Sequence, residues 1–337
     1  MFIYIVRRIL LAIPTFLGIT LITFLIINAA PGGPIEQKLQ KIRMGGGGEG
    51  GGRSSAISQE ILDGLSKQYG FDKPVHVRYF IWLKNISRLD FGESFSYQEP
   101  VIDVITQKFP VSLSFGIASL ILTYLVCIPL GVKKAINAGG VFDQVSGVIL
   151  YFLYSIPPLV MGIFLIVWLA GGSHFDLFPI GNMTSDDYDT LTTMGKIWDR
   201  IYHFVLPLTC YMLGNFTEIT MLVRNSMLDV VQSDYVRTAR SKGLANRVVY
   251  YKHALRNAMI PVATGLGGFL RVFLAGSLII ERIFNLDGIG LLSYNSILAR
   301  DYNVIMGITF MSALLLLAGN IMSDIVYVMV DPRIDFK

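Results

Sequence analysis

Long apolar runs separated by short polar segments set the pattern of this chain. A helix that crosses a membrane needs about 20 mostly apolar residues. Runs that meet or approach this length lie at residues 9–29, 111–132, 145–170, 204–223, 262–280 and 302–329. The pattern therefore predicts an all-α membrane protein with six transmembrane helices.

Three of these runs contain residues that are unusual inside a membrane. Glu218 lies in the fourth run, and Arg271 lies near the middle of the fifth. A charge in the lipid core is costly, so such residues are functional candidates by default. Pro157 and Pro158 should bend the third helix, which is tolerated where neighbours or cavity water bind the freed backbone groups. These four residues are candidates for a translocation path. A structural pairing, of Glu218 with Arg271 or of each with a partner subunit, is the alternative for these two charges.

The composition indicates a membrane protein and gives no sign of an enzyme. Charged residues make up 15% of the chain and hydrophobic residues 53%, whereas soluble domains carry about 25% charge. The 2 Cys and 4 His are too few for a disulfide scaffold or a Cys-rich metal site. The histidines do not combine with acids or nucleophiles inside the apolar runs into a catalytic arrangement. We therefore predict no catalytic residue and no metal site in this chain.

Basic residues gather near the ends of alternate runs, which predicts the orientation. Lys and Arg concentrate on the cytoplasmic side of membrane proteins. With the N-terminus inside, the cytoplasmic set is Arg7, Arg8, Lys133, Lys134, Arg224, Arg237, Arg240, Lys242, Arg247, Lys252, Arg256, Arg333 and Lys337. The two short outer loops then hold only Lys196, Arg200, Arg282 and Arg300. The sequence predicts a multi-pass protein of the cytoplasmic (inner) membrane with both termini in the cytoplasm.

The apolar runs also divide the chain into regions. These are the first helix at 1–30, an extracytoplasmic region at 31–108, a five-helix core at 109–330 with a cytoplasmic loop at 225–260, and a cytoplasmic tail at 331–337. A Gly-rich stretch at 45–52 has the composition of a flexible linker. A phosphate-binding loop would require a following Gly-Lys-Ser/Thr, and none follows this stretch.

Residues 234–261, which we name the basic segment, are too long and too patterned for a simple turn between two membrane helices. Ser233 or Asp234 can cap a first short helix, and Gly243 can end it in the left-handed conformation. Ala239 and Gly243 lie four positions apart and share a face, on which a second surface could approach the backbone closely. The first half of the segment is thus predicted to present a short helix to a soluble partner.

A second short helix is predicted over 247–257, with Asn246 as its cap. Two plainer interpretations remain open. The basic residues could merely follow the cytoplasmic bias of Lys and Arg, or the segment could lie on lipid through an apolar face. That face would consist of Val248, Val249, Tyr250 and Leu255.

Two stretches of the basic segment carry a recognisable motif, since 235–243 reads YVRTARSKG and 253–261 reads HALRNAMIP. They resemble the cytoplasmic coupling loop of binding-protein-dependent ABC importer permeases, in the dipeptide and oligopeptide branch. The Glu-Ala-Ala-xxx-Gly motif of the wider family falls on Arg237, Thr238, Ala239 and Gly243, so its Glu and first Ala are absent here. Further matching stretches lie at 7–8, 13–15, 31–34, 69–74, 90–94, 276–281, 300–302 and 331–333.

A narrower resemblance concerns the last outer loop. Asp287-Gly288 stands where the branch usually has Pro-Gly. Together with the Gly-rich insert and the FDLFP stretch at 175–179, this variant resembles the subgroup linked to uptake of microcin C-like peptides and oligopeptides.

The resemblance implies a type I ABC importer permease fold with an extracytoplasmic insertion after the first helix. It also implies a peptide substrate and membrane lipid around the helices. The implied protein partners are a second permease subunit, two ATP-binding subunits or one fused ATPase, and an extracytoplasmic peptide-binding protein. The branch resemblance favours a heterodimer of two different permease subunits. ATP and Mg would be bound by the partner ATPase, because this chain has no Walker-type loop. No cofactor in this chain and no nucleic acid partner are expected. The residues implied in ATPase coupling are Asp234, Tyr235, Arg237, Thr238, Ala239, Arg240, Lys242 and Gly243.

An ATP-independent secondary transporter or channel is the alternative function. It would share the six membrane helices, but it would not need a helix pair that faces a partner. A receptor or scaffold would in turn lack the charges of Glu218 and Arg271 inside the membrane.

Overall fold

The computed structural model describes residues 2–29, 73–171, 174–265 and 276–330 of the chain. Within these ranges the protein is helical, apart from two isolated β-bridges. The Gly-rich stretch at 45–52, the candidate path residue Arg271 and the tail at 331–337 all lie outside the described residues.

The described helices are joined by connections of very different lengths. In chain order the α-helices are α1 (Phe2–Ala29), α2 (Val75–Ile86), α3 (Val101–Ile136), α4 (Val141–Ser155), α5 (Pro158–Leu169), α6 (Thr193–Val231), α7 (Asp234–Ser241), α8 (Asn246–Val248), α9 (Leu255–Ala258), α10 (Ile260–Gly265), α11 (Leu278–Ile283), α12 (Ile289–Leu298) and α13 (Tyr302–Val330). A 3₁₀ turn covers Tyr188–Thr190, and a π-helix covers Val249–Ala254 between α8 and α9.

Some of the described helices are long and apolar enough to cross a membrane. These are Val6–Ala29 of α1, Val101–Ile136 and Tyr302–Ile325 of α13, with α4 and α5 as a fourth crossing if the pair forms one span. The first, second and sixth predicted runs thus fall on suitable helices. The fourth run lies inside α6, a helix of 39 residues, and the fifth includes residues outside the described ranges. The number of six crossings therefore stays a prediction.

The third predicted run is broken rather than gently bent. Its two helices, α4 and α5, meet at 99°. Ile156 and Pro157 between them have extended backbone, with ψ of 119° and 141°, and Pro158 occupies the first turn of α5. The predicted bend at the prolines is confirmed, but a single helix over 145–170 is wrong, because the proline pair ends one helix and starts another.

The chain forms two compact units. One comprises residues 6–109 and 292–314. Its small core packs Phe24 of α1 and Tyr79 of α2 with Met306 of α13. The hydroxyl groups of Tyr79 and Thr20 are hydrogen-bonded at 3.0 Å, so the polar end of this buried tyrosine has a partner.

Asp301 ties the loop before α3 to the start of α13 in the same unit. This carboxylate is fully buried, and one of its oxygens accepts from the Ser94 hydroxyl at 2.6 Å and from the Ser96 backbone N–H at 2.8 Å. Its backbone N–H donates to the Ser296 carbonyl at 2.8 Å. Two stretches far apart in sequence, 90–94 and 300–302, therefore meet around one carboxylate.

The other unit comprises residues 1–5, 110–291 and 315–337. It contains a second buried carboxylate, Glu281 of α11, which accepts from the Ser112 hydroxyl at 3.0 Å and from the Leu291 backbone N–H at 2.7 Å. A Cβ atom on Gly276 or Gly288 would lie 2.3 or 2.5 Å from the Glu281 Oε1 atom. Glycine at both positions is therefore what lets the backbone close around this carboxylate.

Candidate functional site

The first half of the basic segment forms the helix that its sequence predicts. Helix α7 begins at Asp234, and Ser233 precedes it with an extended backbone, although its hydroxyl makes no cap bond and instead donates to the Val230 carbonyl at 2.5 Å. The acidic Asp234 lies in the first turn, where it suits the helix dipole. Gly243 follows the helix with a φ of 76°. The predicted left-handed end at Gly243 is confirmed.

Helix α7 has one buried side and one exposed side. Val236 and Ala239 are buried. The side chains that face outward are Asp234, Tyr235, Arg237, Thr238, Arg240 and Lys242. The predicted shared docking face of Ala239 and Gly243 is wrong for Ala239, because that residue packs on the core of its own chain. A Cβ atom on Gly243 would meet nothing within 4 Å, so this position is open.

The second half of the segment departs from the predicted helix. A short α8 begins at Asn246 and continues as the π-helix Val249–Ala254, which leads into α9. Ala245 occupies the N-cap position and no side chain caps the helix, so the predicted capping role of Asn246 is wrong. A π-helix has i→i+5 hydrogen bonds in place of the i→i+4 bonds of an α-helix, and such turns are frequent at functional sites. The apolar spacing of the sequence gave no sign of this wider turn.

The two halves of the segment are joined by side chains. The Asn257 amide donates to the Tyr235 hydroxyl at 2.8 Å. The Arg240 guanidinium donates to the Tyr250 hydroxyl at 3.1 Å and stands 5.5 Å from the centre of the same ring. These contacts connect α7 to the π-helix and to α9, so the segment is a folded unit with a defined outer surface.

A hydrophobic cluster beneath the segment attaches it to the long helices. Val236 of α7 and Val249 of the π-helix are fully buried, and they share this cluster with Val132 of α3 and with Val223 and Met227 of α6. The segment therefore rests on the adjacent ends of two long helices.

The outer surface of the segment is strongly basic. Its exposed Lys and Arg side chains are Arg237, Arg240, Lys242, Arg247, Lys252 and Arg256, and its one acidic residue is Asp234. The apolar face proposed for lipid binding is turned mainly inward, since Val249 is buried and Tyr250 and Leu255 pack against the cluster. A surface of this kind suits a protein partner better than the interior of a lipid layer.

Of the candidate path residues, Glu218 is exposed on α6, and Pro157 and Pro158 lie at the break between α4 and α5. A polar stripe that the sequence reading missed extends along α6, where Asn215, Glu218, Asn225 and Asp229 are all exposed. Their spacing places them on one face of the helix. The signal was present as polar residues at helical spacing around an apolar run.

Sequence comparison finds matches to known proteins over almost the whole chain. Residues 127–336 match the family described as the binding-protein-dependent transport system inner membrane component, and residues 1–116 match its N-terminal membrane component. The Peptidoglycan transport system permease protein YejB of Agrobacterium fabrum is 43% identical over 357 residues, covering 99% of this chain and 98% of that protein.

Two further relatives extend over equally large shares of the chain. The Inner membrane ABC transporter permease protein YejB of Escherichia coli O157:H7 is 41% identical over 361 residues, covering 99% of both proteins. The Oligopeptide transport system permease protein AppB of Bacillus subtilis is 36% identical over 334 residues, again covering 99% of both. This chain belongs to the family of inner membrane components of binding-protein-dependent transport systems.

Proposed function

We propose that this chain is a permease subunit of an ATP-driven peptide importer. Support comes from the relatives, whose names include oligopeptide and dipeptide transport permeases, and from the outer-loop variant that resembles the microcin C and oligopeptide subgroup. Its partners are a second permease subunit, two ATP-binding subunits or one fused ATPase, and an extracytoplasmic peptide-binding protein. Both termini are placed in the cytoplasm by the distribution of basic residues.

The basic segment is proposed to couple this chain to the ATPase. The observation that carries this proposal is the two-sided α7, whose buried Val236 fixes it to α3 and α6 while Arg237 and Lys242 face outward. Closure of the ATPase around ATP would displace the segment and, through the shared cluster, the ends of both long helices. This is a two-state element that a distant ligand biases.

The exposed stripe on α6 is proposed to line the path of the peptide. Glu218 lies in an apolar run, and a carboxylate that faced lipid there would cost several kcal/mol. An exposed Glu218 therefore belongs next to water, peptide or the second permease, and Asn215 on the same face fits each of these. The break at Pro157 and Pro158 supports an irregular lining, and Arg271 remains a candidate from sequence.

One experiment tests the coupling role directly. In the complete complex, Gly243→Leu places a branched side chain at an open, left-handed position, and Arg237→Gln removes an exposed charge that is 71% accessible. We expect both variants to lower the amount of ATPase that co-purifies and the rate of peptide uptake. For Arg237→Gln a loss of about fivefold corresponds to roughly 1 kcal/mol of lost contact.

The two variants separate docking from local folding. A side chain in the left-handed conformation costs about 1–2 kcal/mol even without a partner, so Gly243→Leu alone would be ambiguous. The matched control is Lys133→Gln, which removes an exposed basic charge that is also predicted to be cytoplasmic but lies outside the basic segment. Normal ATPase binding and normal uptake in Arg237→Gln and Gly243→Leu would refute the coupling role.

A further inference from the structure

Three charged side chains on three different helices meet near the basic segment. The Asp143 carboxylate of α4 accepts from the Arg224 guanidinium of α6 through two bonds, at 2.7 Å from Nε and 2.5 Å from Nη2. The Lys134 ammonium of α3 lies 3.2 Å from the Asp143 Oδ1 atom. We name this group the charge triad. It joins the end of α3 and the beginning of α4 to the C-terminal part of α6.

Two members of the charge triad are buried and the third is half-buried. Lys134 is 0% exposed, Asp143 is 6% exposed and Arg224 is 21% exposed. The Lys134 ammonium also donates to the Asp143 carbonyl at 2.6 Å and to the Ser146 hydroxyl at 2.8 Å, so it reaches three acceptors. Buried charges are tolerated only with such complete pairing.

The charge triad connects α4 to two helices that already pack against each other, α3 and α6. Helices α3 and α6 already touch closely at Gly131, where a Cβ atom would lie 2.7 Å from the Thr220 carbonyl oxygen. Both helices also enter the hydrophobic cluster under the basic segment, whereas no described residue of α4 belongs to that cluster. The links of α4 to α6 on the described residues include the charge triad and the bond from the Thr217 hydroxyl to the Leu150 carbonyl at 2.8 Å.

We propose that Lys134, Asp143 and Arg224 are positioning residues that make α4 follow the movement of α3 and α6. Displacement of the basic segment would then reach the broken pair of α4 and α5 through this triad. Paired charges with fixed hydrogen-bond directions hold one register, whereas an apolar contact between helices would allow α4 to slide. The inference rests on the proposed function and adds the route by which ATPase motion reaches the path.

The test compares peptide uptake with ATP hydrolysis in the same vesicles. The complete complex is reconstituted with its ATPase and binding protein, and Asp143→Asn removes the central charge while keeping the shape. We expect the peptide imported per ATP hydrolysed to fall by about fivefold or more, while hydrolysis per assembled complex stays within about twofold. Arg224→Lys, which keeps the charge, should lose less than Arg224→Gln. Arg7→Gln, which removes an exposed charge of α1, is the control and should keep the wild-type ratio.

A purely structural role predicts a different result. Uptake and hydrolysis would then fall together, in proportion to the amount of assembled complex, and this outcome would overturn the inference. Because Asp143→Asn leaves the buried Lys134 and the half-buried Arg224 without their anion, it could impair assembly. A second variant, Lys134→Met with Asp143→Leu and Arg224→Met, removes all three charges and fills the space, which is often neutral for stability. A normal ratio of uptake to hydrolysis in this variant would also overturn the inference.

Failure of the inference is distinguishable from failure of the proposed function. If the wild-type complex imports peptide without hydrolysing ATP, the proposed function is wrong, whatever the variants do. If the wild-type complex couples the two and Asp143→Asn keeps the same ratio, only the role of the charge triad is wrong.

Discussion

At the scale of single residues, glycines decide where the helices of this protein can touch. Gly131 of α3 lies against α6 so closely that a Cβ atom would stand 2.7 Å from both the Thr220 carbonyl oxygen and the Val223 Cβ atom. Gly214, in the middle of α6, has nothing within 4 Å of the same imagined atom. Sequence alone does not separate these two glycines, because each stands inside an apolar run.

We expect Gly131→Ala to lower the stability of the protein by about 1–3 kcal/mol, because the added methyl group overpacks the contact between α3 and α6. The matched variant Gly214→Ala adds the same methyl group in open space. It should leave stability unchanged or raise it slightly, since Ala favours a helix over Gly by about 1 kcal/mol. Thermal unfolding of the purified complex in detergent measures both changes. Equal midpoints for the two variants would contradict the close contact at Gly131.

At the scale of elements, local signals in the sequence predicted where helices end better than which faces of the helices are buried. Gly243 could be placed at the end of α7, because a left-handed helix end favours glycine wherever the helix lies. The burial of Ala239 could not be predicted, because it depends on where α3 and α6 end in space. The proline pair likewise predicted a bend after α4, although not a break into two helices. The 99° angle depends on packing of α5, where a Cβ atom on Gly162 would lie 3.2 Å from Ile283 of α11.

Substitution of Val236 tests whether the hydrophobic cluster anchors α7. Truncation to Ala removes two buried methyl groups, and we expect it to cost about 2 kcal/mol. Because α7 is short and buries only Val236 and Ala239, this loss should appear as local opening, roughly 30-fold faster amide exchange over Asp234–Ser241. Hydrogen exchange with mass spectrometry measures it. Arg237→Ala is the control and should change little, because its ion pair with Asp234 is a 4.0 Å contact on the surface. Equal exchange in both variants would show that α7 is not anchored by Val236.

At the scale of the whole molecule, composition and apolar runs were sufficient to predict a helical membrane protein, and the family match supports that class. They were not sufficient for the number of crossings. Helix α6 contains both an apolar run and a polar stripe over 39 residues, so its length extends beyond a single apolar span. The charge triad was also not predicted as a unit, because Lys134 and Arg224 fit the expected cytoplasmic bias and Asp143 belongs to no motif. Groups that form only when three helices meet have no local signature.

The orientation of the whole chain gives the broadest prediction, because the coupling role requires the basic segment to face the cytoplasm. We expect Lys252→Cys to react with a membrane-impermeant maleimide in inside-out vesicles, and Asp186→Cys to react in right-side-out vesicles. Both positions are exposed. The native Cys127 and Cys210 are buried, so the unmodified chain serves as the control with low labelling. The physical reason is the cytoplasmic bias of Lys and Arg. In a chain of reversed orientation, all basic residues of the basic segment would lie outside the cytoplasm. Labelling of Lys252→Cys in right-side-out vesicles would show that the basic segment cannot contact a cytoplasmic ATPase. It would therefore contradict both the coupling role and the proposed route through the charge triad to the path.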